Sequence, residues 1–155
     1  MENNFYESIS EHDIFGKGGN GTLDAVISRE VEDYGKGWDE SKSDCWLDVS
    51  IGYNDLLAIH SQTFLLTFGK EPETEFILWE NVKMQITAKF PMLCKFRDIY
   101  EDAIFKSDEL ETLLAECIEL KSSSSNKALD VALRKIVYCC KEAINTNLHL
   151  GFWCD

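Results

Sequence analysis

The stretch that decides the fold is residues 126–145, NKALDVALRKIVYCCKEAIN. Its apolar residues recur at steps of three and four and so form one stripe of an α-helix. The stripe contains Leu129, Ala132, Leu133, Ile136, Val137, Cys140 and Ile144. This spacing predicts an amphipathic helix from Asn126 to Asn145. Because such a helix is stabilised mainly by packing, the rest of the chain must supply a second apolar surface.

Two more helices are predicted upstream. Leu110, Leu113, Leu114, Cys117 and Ile118 repeat the helical spacing, and Ser107 is expected to cap this helix. The polar link Ser122–Ser125 is short, so the two helices should pack antiparallel. Helical spacing also predicts a third helix between Leu93 and Ile104, after Pro91.

Alternation of apolar and polar residues predicts strands. They cover Leu23–Ile27, Leu47–Tyr53, Phe76–Phe90 and Leu148–Trp153, and the clearest alternation runs from Val82 to Phe90. Asn54 and Asp55 are interpreted as a turn, and Leu56–Phe68 fits either a buried strand or a short helix. Residues 3–14 are interpreted as a weak helix or an arm.

These elements predict an α+β fold. An antiparallel sheet of about four to six strands, from the N-terminal and middle parts, is expected to pack against a C-terminal set of about three helices. One face of the sheet should be buried and the other wet. A chain of 155 residues is interpreted as a single domain, residues 1–155.

The formal net charge of −13 is concentrated near the N-terminus. Residues 1–60 hold 13 acidic and 4 basic side chains, a net of −9, and residues 61–155 hold 15 and 11, a net of −4. Such a field repels nucleic acid and anionic membranes and attracts basic proteins. The alternative is that this charge serves solubility alone.

The cysteines are interpreted as reduced. Cys117 and Cys140 fall on apolar helical stripes, where a thiol acts as a small hydrophobic group. The chain starts without a secretory signal pattern and has no apolar run long enough to span a membrane. A reducing cytoplasmic location is therefore expected.

Aromatic and acidic residues alternate between Glu30 and Asp48, a range called here the acidic-aromatic stretch. This stretch is predicted to bind a partner because rings supply buried contact area and carboxylates supply steering. The predicted partner-binding residues are Glu30, Glu32, Asp33, Tyr34, Trp38, Asp39, Glu40, Asp44, Trp46 and Asp48. Two alternatives are an acidic loop whose tryptophans return to the core and a calcium loop, although the calcium-loop spacing is missing.

A search for catalytic sets ends without a candidate, so no catalytic, cofactor or metal residue is predicted. Gly16–Gly21 has dinucleotide-loop spacing, but a strand-like segment follows it where a helix is needed. His12, His60 and His149 are scattered. A cysteine nucleophile with His60 or His149 as base is a weaker interpretation than buried structural thiols.

The chain resembles the immunity proteins of bacterial contact-dependent growth inhibition and polymorphic toxin systems. The acidic-aromatic stretch carries the resemblance together with Leu129-x-x-Ala132-Leu133 and the C-terminal His149–Asp155. The resemblance implies a non-catalytic cytoplasmic protein that neutralises one cognate toxin domain, such as a basic nuclease. Trp38 and Trp46 would be anchors, and Glu32, Asp33, Asp39, Glu40 and Asp44 would meet Lys or Arg of the toxin.

Two other functions are compatible with the sequence. A phage-type nucleic-acid mimic would use the same acidity to block several DNA-binding proteins. A small cysteine-dependent or metal-dependent enzyme would carry one reactive thiol or a stoichiometric metal.

Overall fold

The computed structural model describes residues 22–28, 43–72 and 80–154. They form the α+β fold that the sequence predicts, an antiparallel sheet packed against helices. The strands are β1 (Leu23–Ser28), β2 (Ser43–Ile51), β3 (Ala103–Phe105) and β4 (His149–Cys154). The α-helices are α1 (Tyr53–Phe68), α2 (Glu80–Lys89), α3 (Leu110–Ser122) and α4 (Lys127–Thr146), with single 3-10 turns at Leu93–Lys95 and Ser107–Glu109.

The sheet has the strand order β2-β1-β4-β3, and each neighbouring pair is antiparallel. The predicted C-terminal strand is confirmed, and it fills the centre of the sheet beside β1. Alternate residues of the four strands point to the helices and form the main core with α1, α3 and α4. This helix-facing side is called the inner face, and the opposite side the outer face.

The helix predicted from residues 126–145 is confirmed as α4, and its ends explain its length. The Asn126 side chain accepts a hydrogen bond from the Leu129 N–H at 2.9 Å, which caps the first turn. Asn147 adopts the left-handed conformation at φ 58° and ends the helix. The predicted stripe is buried except for the half-buried Ile144, so α4 supplies one wall of the core.

The predicted antiparallel pair α3–α4 is also confirmed, and α3 packs on α4. Lys121 near the end of α3 forms an ion pair with Asp130 in the first turns of α4, with a 2.9 Å separation between nitrogen and oxygen. Ser107 was expected to cap α3, but this expectation is wrong. A 3-10 turn precedes α3, and Glu109 closes it by accepting the Lys106 N–H at 2.9 Å.

The ambiguous segment 56–68 is helical. Asp55 accepts the Gly52 N–H at 2.8 Å at the start of α1, so Asn54 and Asp55 begin a helix and do not make the predicted turn. Gly69, at φ 75°, ends the helix in the left-handed conformation that glycine tolerates. Tyr53 is the first helical residue and not the predicted last residue of a strand.

The clearest predicted strand, up to Phe90, is wrong where the structure describes it, because residues 80–89 form α2. The alternating residues from Val82 to Phe90 also contain a four-residue spacing, and among those whose side chains are described, Ile86 and Phe90 are buried. Met84 is 77% exposed, as expected of the opposite side of a helix. Three of the four polar residues between, Lys83, Gln85 and Lys89, are good helix formers, and this preference outweighs the alternation.

The helix predicted between Leu93 and Ile104 is also wrong. This segment contains a 3-10 turn at Leu93–Lys95, a turn at residues 99–100 and strand β3. Ala103, Ile104 and Phe105 are all buried, because β3 is covered on both faces. A run of three buried residues has no helical period, and the apparent spacing came from combining apolar residues of different burial, since Leu93 is buried whereas Tyr100 is 75% exposed.

The expectation of a wet outer face is wrong near the sheet centre. Val26 and Ile104 belong to the outer face, yet they are 0% and 1% exposed. They form a separate apolar cluster against which the half-buried Trp153 packs. The outer face therefore carries an apolar patch at Val26, Ile104 and Trp153.

Glu116 of α3 holds the turn that follows Pro91. Its carboxylate accepts the Leu93 N–H at 2.9 Å and the Met92 N–H at 3.1 Å. Burial raises the pKa of Glu116, and these two N–H groups offset part of the rise. The non-helical path of residues 91–96 therefore depends on one carboxylate.

The folded-state pKa of Glu116 lies above its unfolded value, so the protonated side chain contributes to the free energy of unfolding. This contribution is complete at pH values below the ordinary pKa, and it is lost as the pH rises through the raised pKa. The unfolding free energy of wild type minus that of Glu116→Gln should thus decrease between about pH 4 and about pH 7. Urea unfolding at matched pH measures this difference. An increase would mean that the N–H groups stabilise the ionised carboxylate more than burial destabilises it.

Some expectations fall on residues that the structure does not describe. These are the N-terminal helix or arm at residues 3–14, the Gly16–Gly21 loop and the segment Phe76–Trp79. Within the described ranges, no helix has the length and apolar character needed to cross a bilayer.

Candidate functional site

Three of the ten predicted partner-binding residues lie in the described part of the chain, all in β2. They are Asp44, whose backbone alone is described, Trp46 and Asp48. The remaining seven, Glu30, Glu32, Asp33, Tyr34, Trp38, Asp39 and Glu40, lie outside the described residues. The structure therefore locates the C-terminal end of the acidic-aromatic stretch.

Trp46 lies on the outer face of an edge strand. It is paired with Val26 of β1, so its side chain belongs to the same face as the apolar cluster of Val26, Ile104 and Trp153. Although its neighbour Val26 is fully buried, Trp46 is 38% exposed. An indole that is partly buried and partly open is typical of an anchor at a protein interface.

Asp48 is exposed at an irregularity of the same strand. The pairing register shifts between Asp24–Ser50 and Val26–Trp46, and Asp48 lies in the extra length of β2. Its φ of 55° is left-handed, a conformation that aspartate adopts more readily than most residues. The bulge directs a carboxylate to solvent two residues from Trp46.

Asp24 adds a half-buried carboxylate to this outer face. Its Oδ1 accepts the Ser50 hydroxyl at 2.7 Å and the Thr22 hydroxyl at 3.2 Å. Asp24 is also paired with Trp153 across the β1–β4 ladder. The outer face thus combines two tryptophans with carboxylates, which is the chemistry predicted for the acidic-aromatic stretch.

Four of the described thiols have raised pKa values. Cys94, Cys117, Cys139 and Cys140 are buried, and Cys154 is half-buried. Burial raises the pKa of Cys140 to about 12, and burial together with the Asp102 carboxylate raises that of Cys154 to about 11. The pKa values of Cys117 and Cys139 are also raised by burial. These four thiols stay protonated at neutral pH, the unreactive form.

The two described histidines each use one ring nitrogen in a structural hydrogen bond. His149 Nδ1 accepts the Ser107 N–H at 2.9 Å. His60 Nε2 lies 2.7 Å from the Phe96 carbonyl oxygen, and because a carbonyl only accepts, Nε2 carries the proton. Among the described residues, no group of three or more His, Cys, Asp or Glu side chains is arranged to hold a metal ion.

Two concave sites lie beside the segment 91–106. An open cleft of about 580 Å³ runs along β3 and carries charges of both signs, which include Lys95, Arg97, Glu101 and Glu109. The Lys95 ammonium donates to one carbonyl of β3, that of Ile104, at 3.1 Å and pairs with Glu109 at 3.0 Å. A smaller cavity of about 130 Å³ lies between α1 and residues 97–100.

The small cavity has mainly apolar walls. They are formed by Tyr53, Leu56, Leu57, Ile99 and Tyr100, and the polar residues are His60, Arg97 and Asp98. Sequence reasoning missed this cavity because it treated 56–68 as ambiguous and 93–104 as a helix. A usable signal was present, since Asp55 after Gly52 and Gly69 after Phe68 are a helix start and a helix stop.

No protein-family model matches this chain, and no match to a curated protein or a solved structure is found. The outer face around Trp46 and the cavity beside His60 are therefore interpreted from their own geometry.

Proposed function

We propose that this chain is a non-catalytic cytoplasmic inhibitor of the immunity-protein kind, which neutralises a basic toxin domain by binding it. The observation that carries the proposal is Trp46, 38% exposed on edge strand β2. This ring lies at the end of a strongly acidic stretch and beside the exposed Asp48. An aromatic anchor with surrounding carboxylates fits a cationic protein surface.

The distribution of charge along the sequence supports a cationic partner. Four basic side chains of the second half are used in internal ion pairs: Lys95, Lys121, Arg134 and Lys135. Lys135 pairs with Asp55 of the first 60 residues, but residues 61–155 are themselves net negative at −4, so they carry no basic excess to balance the −9 of residues 1–60. Such a field steers a basic protein toward the chain and repels phosphate backbones.

The thiol chemistry gives no support to the enzyme alternative. A nucleophilic cysteine needs a lowered pKa and access to substrate, whereas the pKa values of Cys117, Cys139, Cys140 and Cys154 are raised.

The nucleic-acid mimic depends on the same acidic charge as the immunity protein, and the number of binding partners distinguishes these two functions. An immunity protein binds one basic toxin, whereas a mimic binds several unrelated DNA-binding proteins.

We expect Trp46→Ala to weaken binding of the toxin domain by about 30-fold, equivalent to about 2 kcal/mol, because a partly buried indole supplies anchor contact area. The toxin domain is first isolated by capture on the immobilised chain at low salt, and the affinity is then measured by calorimetry. Met84→Ala is the matched control, since Met84 is an apolar side chain 77% exposed on α2. Its affinity should equal that of wild type.

The same titration tests the role of charge. Affinity for a basic toxin should fall as the salt concentration rises, and the wild-type chain should abolish the activity of the toxin at one-to-one stoichiometry. If Trp46→Ala and Met84→Ala changed the affinity for the toxin domain equally, the interface would not include Trp46. Binding that leaves the captured protein fully active would contradict the inhibitor function.

A further inference from the structure

His60 lines an apolar cavity, and one of its ring nitrogens has no hydrogen-bond partner among the described residues. Its side chain is only 5% exposed, and Nε2 is committed as a donor to the Phe96 carbonyl. The proton is therefore on Nε2, and Nδ1 is left with its lone pair. Within the described part of the chain, no hydrogen bond to Nδ1 is formed.

The environment keeps this ring neutral. Burial lowers the pKa of His60, while the Phe96 carbonyl and the Asp98 charge raise it in part. A neutral ring with Nε2 protonated accepts a hydrogen bond at Nδ1 at neutral pH. A donor that enters the cavity can therefore form a hydrogen bond to Nδ1 in mainly apolar surroundings, where such a bond is stronger than in water.

The size of the cavity limits what can enter. Its volume is about 130 Å³, and an apolar protein cavity of roughly 150 Å³ accommodates one benzene-sized ring. Leu56, Leu57 and Ile99 supply apolar contact for such a ring. The Arg97 guanidinium also borders the cavity, and guanidinium groups stack on aromatic faces.

The walls are fixed before any ligand binds. Asp98 accepts the Tyr100 N–H at 2.7 Å, which sets the turn that carries Ile99 and Tyr100. The other wall is helix α1, which is packed on α4. A preformed site of this kind binds without an ordering cost in its backbone.

We propose that the cavity between α1 and residues 97–100 binds a single phenol ring, with the phenolic O–H donating to His60 Nδ1. The ring is either a free small phenol or the side chain of a tyrosine presented by another molecule. The proposal does not depend on the inhibitor function or on the outer face.

The probe is phenol itself, added to the full chain. We expect phenol to bind with a Kd on the order of 1 mM or tighter and to shift the Nδ1 resonance of ¹⁵N-labelled His60. Anisole has the same ring but no donor, so it should bind about tenfold more weakly and leave the Nδ1 resonance unmoved. Equal binding of phenol and anisole would overturn the role of Nδ1.

Variants on α1 locate the site. Leu57→Trp places a larger ring in the cavity and should abolish phenol binding, whereas Gln62→Trp changes a residue of the same helix that does not line the cavity. Both variants should retain the circular dichroism spectrum of wild type. Phenol binding that survives in Leu57→Trp, or no shift of His60 at tens of millimolar phenol, would overturn the proposal.

The two sources of the ring are separated by N-acetyl-tyrosine methylamide. If this compound binds at least as tightly as phenol, the open side of the cavity admits a peptide and the ring belongs to a tyrosine. If phenol shifts His60 and the tyrosine derivative does not, the ligand is a free phenol.

Discussion

Replacing Phe152 with alanine is expected to lower the free energy of unfolding by about 4 kcal/mol. Phe152 is fully buried on the inner face of the central strand β4. Its ring centroid lies 4.9 Å from that of Phe96 and 6.2 Å from that of Phe105, both in edge-to-face geometry. The truncation removes apolar contacts and leaves a cavity at the point where the sheet meets the segment 91–106. Urea unfolding followed by circular dichroism measures the loss.

Phe68→Ala is the matched control for this prediction. Phe68 is half-buried at the end of α1 and belongs to a smaller cluster, where its ring centroid lies 4.6 Å from that of Phe64. The cost there should be about 1–2 kcal/mol, because the site is open to solvent and can relax. Equal losses of unfolding free energy for the two variants would contradict the tight packing of Phe152 in the main core.

The elements with a continuous period were predictable. In α4 the stripe extends over the whole helix, and Asn126 and Asn147 stand at its ends as recognisable caps. In β4 the alternation is short, but Leu150 and Phe152 are both fully buried on the inner face and Trp153 packs on the outer face. Periodicity determines the element where one face alone is buried.

The middle of the chain was predicted poorly because its period is mixed. In α2 the alternating pattern hid the helical pair Ile86 and Phe90, and in β3 burial on both faces removed the alternation. The position of β4 between β1 and β3 could not be predicted from the sequence either. Strand order depends on contacts between residues far apart in the sequence, which no local pattern records.

The two candidate sites differ in how much the sequence reveals. The aromatic and acidic residues that end at Asp48 lie close together in one stretch of 19 residues, so the composition of that stretch alone indicated them. The cavity beside His60 combines α1 with Arg97, Asp98 and Tyr100, and it required knowledge of both the helix and the turn. A site assembled from two segments is not visible until their secondary structures are known.

Single charged side chains hold the irregular segment 91–106 in place. Glu116 accepts the Met92 and Leu93 N–H groups, and Lys95 donates to the Ile104 carbonyl. At the far end, Asp102 accepts the Cys154 N–H at 2.8 Å and so ties the segment to β4. These bonds replace the helical hydrogen bonds that the sequence pattern predicted there. They also hold residues 97–100, which form one wall of the small cavity beside His60.

The second large effect is expected at the ion pair between Asp55 and Lys135. The Lys135 ammonium lies 2.8 Å from Asp55 Oδ2, and the two side chains are 17% and 12% exposed. Asp55 also accepts the Gly52 N–H, so it joins the start of α1 to the middle of α4. We expect Asp55→Ala to lower the free energy of unfolding by about 3 kcal/mol, because a half-buried ammonium loses its partner and α1 loses its first-turn acceptor.

A double-mutant cycle separates these two contributions. Asp55→Asn removes the charge and keeps an oxygen for the Gly52 N–H, so it should cost less than Asp55→Ala by about 1 kcal/mol. Combining Asp55→Asn with Lys135→Met should cost less than the sum of the two single changes by about 1–2 kcal/mol. Glu101→Ala is the control, since its pair with Arg97 is 3.8 Å long and largely exposed, and its effect should stay below about 0.5 kcal/mol. Additive costs at Asp55 and Lys135 would show that the two charges do not stabilise each other and that the α1–α4 contact rests on apolar packing alone.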